Sequence, residues 1–540
     1  MVPKDRGVIT SLLLLLVGGV IVTALARRYH LSSALVLVVA GLAIGLIPGV
    51  PSIELQPDFV LSVILPPLLW SAGLESSYVA LRKNFRPIAF LAVGLPLATT
   101  FAVGYVALHT VPELTPAAAL TLGAIVAPPD AVSASSIGRR LGLPRQIMTL
   151  LGGESLLNDA TALTLYKVSL AAAIGISMSW ADGFLTFALA AAGGVVVGYL
   201  FGVVIDFIRS HLLDDPVMES AIGLVAPFVV YFTAEYIHGS GVLAVVVAAL
   251  MLGQRSTHAG YATRLQDQAV WRAVTLILEA VAFLLIGLQL PGVVRQLKGM
   301  PAWGVVSGSV AVFVTVILVR IVWIYVFTYL PRTLFAGGRK GDPAPSRAHV
   351  FVLAWAGMRG VVSLAAAFAV PMTTLSGAPF PGRPHIVFLT FVVVVGTLLL
   401  HGLTLPWVIR HFCVHNDDAH QDAVTLAAAQ DKAARAAADR LDGLMDDERQ
   451  AGQTDVHKHA AKILESWNER RRNAAWEQLG RSDDEIGESP ASAFKRLRLE
   501  MLAEERKTFI AERDAGRIDD EVLRTALRGL DLEEATMRRD

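Results

Sequence analysis

Four oxygen-bearing side chains crowd into one short stretch of an otherwise apolar chain. In GGESLLNDATALTLY, Glu154, Ser155, Asn158 and Asp159 lie within about a turn and a half of helix. Residues four apart share a helix face, so Ser155 stacks with Asp159 and Glu154 with Asn158. The first stripe, a carboxylate with a hydroxyl, is a half-shell for a small hard cation, which prefers oxygen ligands. A patch that only holds helices together needs no second acid and no amide at this density.

Other ionisable residues deep in apolar stretches are Asp130, Lys167, Glu219, Glu235, Glu279 and Arg359. Charges at such depth are costly and face a cavity or a partner. Asp130 follows Pro128 and Pro129 in TLGAIVAPPDAVSASSIGRR, where two prolines remove backbone donors and free carbonyls in mid-span. Gly357 and Gly360 flank Arg359 in AWAGMRGVVSLAAAF. Interrupted spans in two halves of a transporter point to a midplane site, and they suggest inverted repeats. A guanidinium at that depth needs a carboxylate, and Glu154 is the partner expected for Arg359, leaving Asp130 and Asp159 for ion and proton work. Lys167, two turns beyond Asp159, reads as structural. Glu235, beside His238, and Glu219, just after Asp214-Asp215-Pro216, sit near span ends, and Glu279 could line a cavity.

The elements that carry these residues are membrane helices. Of the 540 residues, 54% are hydrophobic and 17% charged, against about 25% charged in soluble domains. Apolar stretches run over residues 8–26, 31–49, 58–74, 87–110, 116–136, 147–176, 181–209, 216–237, 240–254, 270–292, 301–330, 349–374 and 385–411. That is about thirteen spans, each long enough for a helix and too long for a barrel strand. The fold expected is an all-α membrane protein with residues 1–415 as transmembrane domain. Residues 416–540, rich in Ala, Arg, Asp and Glu at helical spacing, form a helical tail.

Alternate connectors divide the basic residues. One set holds Arg27, Arg28, Arg82, Lys83, Arg86, Arg139, Arg140, Arg145, Arg209, Arg255, Arg264, Arg332, Arg339, Lys340 and Arg347, the other little beyond Arg295, Lys298 and Arg383. The rich set is cytoplasmic by the positive-inside rule, which places the N-terminus outside and the tail inside a plasma membrane. The first apolar run is preceded by Lys4 and Arg6, as in a signal peptide, but its length suits a span. Cys413 stands alone, which excludes an intramolecular disulfide and a cysteine metal site.

These motifs resemble the monovalent cation:proton antiporter family, in its sodium/proton exchanger branch and bacterial form. The resemblance rests on GESLLNDATALTLY, APPDAV and GMRGVVSLAAA, with ILPPLLWSAGL, GSGVLAVVVAALMLG and AFLLIGLQL in order, and spans residues 8–411. It implies a homodimer in which a core bundle moves against a dimerisation domain and two broken helices cross at the site. It also implies that Asp159 carries the cation or the proton, that Asp130 and Ser155 help bind Na+, and that Glu154 pairs with Arg359. Asn158, where the electrogenic branch has a second Asp, implies electroneutral exchange. Two departures bear on ion selectivity: Pro129-Asp130-Ala131 replaces a frequent Thr-Asp-Pro, and Ser71 stands where many members carry an acid.

The activity expected is exchange of Na+, or K+ or Li+, for H+ by competition at Asp159. The sequence holds no nucleotide-binding loop, no zinc-ligand cluster and no nucleophile with a nearby His, so neither an enzyme, a cofactor nor a nucleic-acid partner is expected. Two rival readings are a cation channel or uniporter without proton coupling, and a membrane sensor signalling through the tail.

Overall fold

The computed structural model describes residues 4–29, 31–47, 59–130, 138, 141–176, 180–212, 215–256, 260–297, 302–334, 346–412, 418–450, 459–469, 490–515, 517–518 and 520–537. Ala131, Arg139, Arg140, Asp214, Lys298, Arg339, Lys340 and Cys413 lie outside them. The chain divides into two compact units, Met1–Asn416 and Asp417–Asp540.

Among the described residues the named elements of the first unit are helices: α1 (Lys4–Arg28), α2 (Ser33–Gly45), α3 (Val60–Glu75), α4 (Tyr78–Lys83), α5 (Phe85–Thr110), α6 (Pro116–Val126), α7 (Arg145–Ala173), α8 (Trp180–His211), α9 (Pro216–Tyr236), α10 (Gly241–Arg255), α11 (Tyr261–Arg295), α12 (Ala302–Leu334), α13 (Arg347–Trp355), α14 (Val361–Phe368) and α15 (Arg383–His411). Among the described residues six helices, α5, α8, α9, α11, α12 and α15, are long and apolar enough to cross a membrane. The apolar helices α2, α3, α6 and α10 are shorter. Local chemistry sets the starts. Thr115, Asp215 and Ser240 each accept a backbone N–H from the first turn of α6, α9 and α10, and Pro116 and Pro216 stand where the helix has no donor to lose.

Small residues bring the helices together, as expected where lipid on all sides removes the hydrophobic drive for association. Gly41 of α2 faces the Leu284 carbonyl of α11, and Gly287 of α11 faces the Val38 carbonyl of α2, so a side chain at either position would strike backbone. Gly194, Gly198 and Gly202 seat α8 on Ser240, Ala244 and Met251 of α10. Opposite these seams, α8 turns Phe184, Leu189, Tyr199 and Phe207 outward, a face suited to lipid.

The interrupted stretches are where regular structure stops. Helix α6 ends at Val126, and Ala127–Asp130 continue without helix. The stretch 349–374 is two short helices, α13 and α14, separated by a buried segment of residues 356–360. The second unit contains α16 (Asp418–Gln450), a helix over 459–469, α17 (Pro490–Asp514) and α18 (Asp520–Met537). Within it α17 packs on α18 through Arg498, which meets Glu533 at 2.7 and 2.8 Å, and Arg506, which meets Asp531 and Glu534.

Candidate ion site

Helix α7 carries the polar cluster through the interior. Glu154, Asn158 and Asp159 are buried and Ser155 is half-buried, one turn before Asp159 on the same face. Asn158 donates through Nδ2 to the Pro129 carbonyl at 3.2 Å, which ties α7 to the non-helical end of α6. Asp130 is close enough to Asp159 to act on it electrostatically. Asp159 and Asp130 are thus neighbours close to the point where α6 stops.

The segment after α6 lies against the segment between α13 and α14. The Asp130 backbone N–H donates to the Met358 carbonyl at 2.7 Å. Gly360 packs on the Asp130 side chain so closely that a Cβ would sit 2.8 Å from its Cβ and Cγ. Gly360 is the residue that opens α14. The positive end of a half-helix therefore meets an acid. On the other side, Arg359 donates through Nε to the Val126 carbonyl at 2.7 Å and through Nη1 to the Gly357 carbonyl at 2.8 Å. Val126 ends α6, so the guanidinium satisfies a carbonyl that the helix leaves without a partner. Thr397 of α15 accepts the Arg359 backbone N–H at 3.0 Å.

The expected Glu154–Arg359 pair is not formed. Glu154 is held instead by Arg320 of α12, at 2.5 Å from Nη1 and 2.9 Å from Nη2, with both side chains almost wholly buried. Arg320 also donates to the Ala354 and Leu353 carbonyls at 3.2 Å, at the end of α13. Gly357 permits the approach, because a Cβ there would collide with the Arg320 side chain. The two arginines differ in where their guanidiniums lie: Arg320 reaches both Glu154 oxygens with its two terminal nitrogens, whereas Arg359 turns Nε and Nη1 to the Val126 and Gly357 carbonyls, its Nη2 has no hydrogen-bond partner among the described residues, and Glu154 is its electrostatic neighbour only.

Sequence reasoning missed Arg320, although it is the sole charge in the stretch 301–330. The rule that singled out Arg359 applies to it equally. It also missed Thr397 and His401. His401 is buried against Trp355 with ring centroids 5.0 Å apart, and neither ring nitrogen has a partner among the described residues. Nothing in the spacing of α15 marks either residue. Ser71 is buried and accepts from Thr275 at 3.1 Å, joining α3 to α11. Lys167 meets Glu235 at 2.8 Å, and Glu235 also accepts the Gly241 N–H that opens α10. Glu219 lies 3.6 Å from Arg209.

A sequence profile of the family described as "Sodium/hydrogen exchanger, transmembrane" matches residues 12–411. The chain belongs to that family. An uncharacterized Na(+)/H(+) exchanger of Mycobacterium tuberculosis is 34% identical over 533 residues, covering 97% of this chain and 95% of the relative. The Na(+)/H(+) antiporter NhaH of Halobacillus aidingensis is 32% identical over 422 residues, covering 75% of this chain and 97% of that protein. Among solved structures, the sodium proton antiporter MjNhaP1 from Methanocaldococcus jannaschii has a TM-score of 0.58 at 19% identity, covering 74% of this chain and 97% of that one. That likeness establishes the fold. The family is the one the motifs resembled, a family of membrane transporters and not of enzymes.

Proposed function

We propose that this sodium/proton exchanger works by alternating access, with Na+ and H+ competing for the Asp159 carboxylate. The observation that carries the reading is Asp159 buried on α7 beside Asp130, at the junction of two interrupted helices. A bare carboxylate is costly inside a bundle, whereas one neutralised by a proton or a sodium ion is not. Movement of the unloaded core is therefore disfavoured, and the two fluxes are coupled.

In this reading Asp130 and Ser155 supply further oxygens to Na+. Asn158 fastens α7 to the Pro129 carbonyl instead of carrying a second charge, which fits electroneutral exchange. Arg359 and the Arg320–Glu154 pair hold the crossing, and Pro128, Pro129, Gly357 and Gly360 keep it unwound. About thirteen spans in inverted repeats, a homodimer, and a plasma-membrane location with the N-terminus outside and the tail cytoplasmic complete the proposal. The cation is Na+ by family. A relative from Bacillus pumilus, 31% identical over 376 residues, is named a sodium, potassium, lithium and rubidium/H(+) antiporter, so K+ and Li+ belong in the test. The channel and sensor readings have no support among relatives named exchangers and antiporters.

In proteoliposomes a pH gradient should drive uptake of labelled Na+, with valinomycin and K+ clamping the voltage. Asp159→Asn should abolish uptake while the purified protein keeps its elution volume and melting temperature. Uptake retained in that variant, or Na+ flux without proton countermovement, would reject the proposal.

A further inference from the structure

Between the α1–α2 turn, α11 and the last three turns of α15 lies a cavity of about 980 Å3. Its volume is at the upper end of the roughly 300–1,000 Å3 common for ligand pockets. Leu31, Leu35, Val39, Leu399 and Leu403 contribute apolar walls. Arg27 and Arg410 also line it, each exposed and each in the last turn of its helix. Helix α2 begins at the cavity. Ser32 and Ser33 line it, and the Ser32 side chain caps none of the first-turn amides of α2. Two guanidiniums and an uncapped helix N-terminus together favour an anion with several oxygens.

Among the described residues that line the cavity the one acid is Glu279, and it sits away from that rim. Its neighbour Ala280 faces Gly19, where an added Cβ would sit 3.3 Å from the Ala280 Cβ, and Gly19 precedes Arg27 on α1 by eight residues, or about 12 Å of helix. The cavity therefore runs from a cationic end through apolar walls toward the middle of the bundle.

We propose that this cavity binds an anionic phospholipid from the leaflet that faces Arg27 and Arg410. The headgroup phosphate lies between the two guanidiniums and the start of α2, and an acyl chain lies along Leu35, Val39, Leu399 and Leu403. Basic pockets between membrane helices select acidic headgroups in this way. A free phosphate would satisfy the rim and leave the apolar walls uncovered. A zwitterionic lipid would bring its own cation toward two arginines.

Native mass spectrometry of the delipidated full-length protein, titrated with phosphatidylglycerol or phosphatidylcholine, reads the binding independently of transport. Phosphatidylglycerol should bind at least tenfold more tightly, and excess inorganic phosphate should not displace it. Arg27→Gln with Arg410→Gln should bring the two lipids level, while Arg27→Lys with Arg410→Lys should keep most of the preference. Leu35→Trp with Leu403→Trp fills the slot, leaves the rim intact and should also lose phosphatidylglycerol; it serves as the test should the glutamine pair not fold. Equal binding of both lipids by the unaltered protein, unchanged binding in both the glutamine and tryptophan pairs, or displacement by phosphate would overturn the proposal.

Discussion

Arg320 grips Glu154 through two hydrogen bonds, at 2.5 and 2.9 Å, across 166 residues of sequence. The pair joins α12 to the helix that carries Asp159. Because both groups are buried, removing one leaves the other uncompensated. Arg320→Ala or Glu154→Ala should each cost about 3–5 kcal/mol, read as a lowered melting temperature and yield. Glu154→Leu with Arg320→Met, of similar volume and no charge, should be more stable than either single variant. A double variant no better than the singles would mean that the pair is not the coupled unit described.

Gly360→Ala places a methyl group 2.8 Å from the Asp130 side chain, so Asp130 must shift at the crossing. Exchange should fall at least tenfold, about 1.4 kcal/mol in rate terms, with little change in yield. Gly357→Ala instead presses on Arg320 and should lower yield as well. Gly292→Ala on α11, where a Cβ would meet nothing within 4 Å, is the control, and its transport should match the unaltered protein.

Thr397→Val removes the acceptor of the Arg359 backbone N–H at nearly constant volume. A buried donor left without a partner costs about 1–3 kcal/mol. The melting temperature should fall accordingly, and Thr397→Ser should restore it. An unchanged melting temperature in the valine variant would remove Thr397 from the support of the crossing.

Lys167 is two turns from Asp159 in sequence, yet its ammonium meets Glu235 and its side chain is 59% exposed. Exposed ion pairs contribute only about 0.2–1 kcal/mol. Lys167→Gln should therefore leave exchange within twofold of normal and stability nearly unchanged. Loss of transport in this variant would bring Lys167 into the ion chemistry.

What the sequence made legible was a residue anomalous in its own neighbourhood. Acids inside apolar runs located Asp130, Glu154 and Asp159, and proline and glycine marked the interruptions that the structure brings together at Asp130, Met358 and Gly360. Partnership was not legible. Whether Arg320 or Arg359 meets Glu154 depends on which guanidinium the packing of α12 and the α13–α14 segment brings to the carboxylate, and both are residues of apolar stretches that the sequence does not order in space. Thr397 acts through one hydroxyl on a backbone N–H, and a threonine in an apolar helix carries no pattern. The cavity rim unites Arg27 and Arg410, which lie at opposite ends of the membrane unit in sequence and look like ordinary helix-end charges.

Competition for one carboxylate has a quantitative signature. In proteoliposomes with clamped voltage, the apparent KM for Na+ should rise about tenfold for each unit of acidification on the acid side of the activity range, with the limiting rate little changed, because each proton bound displaces one sodium ion. An apparent KM that stays constant across that range, with only the rate falling, would contradict a shared site at Asp159.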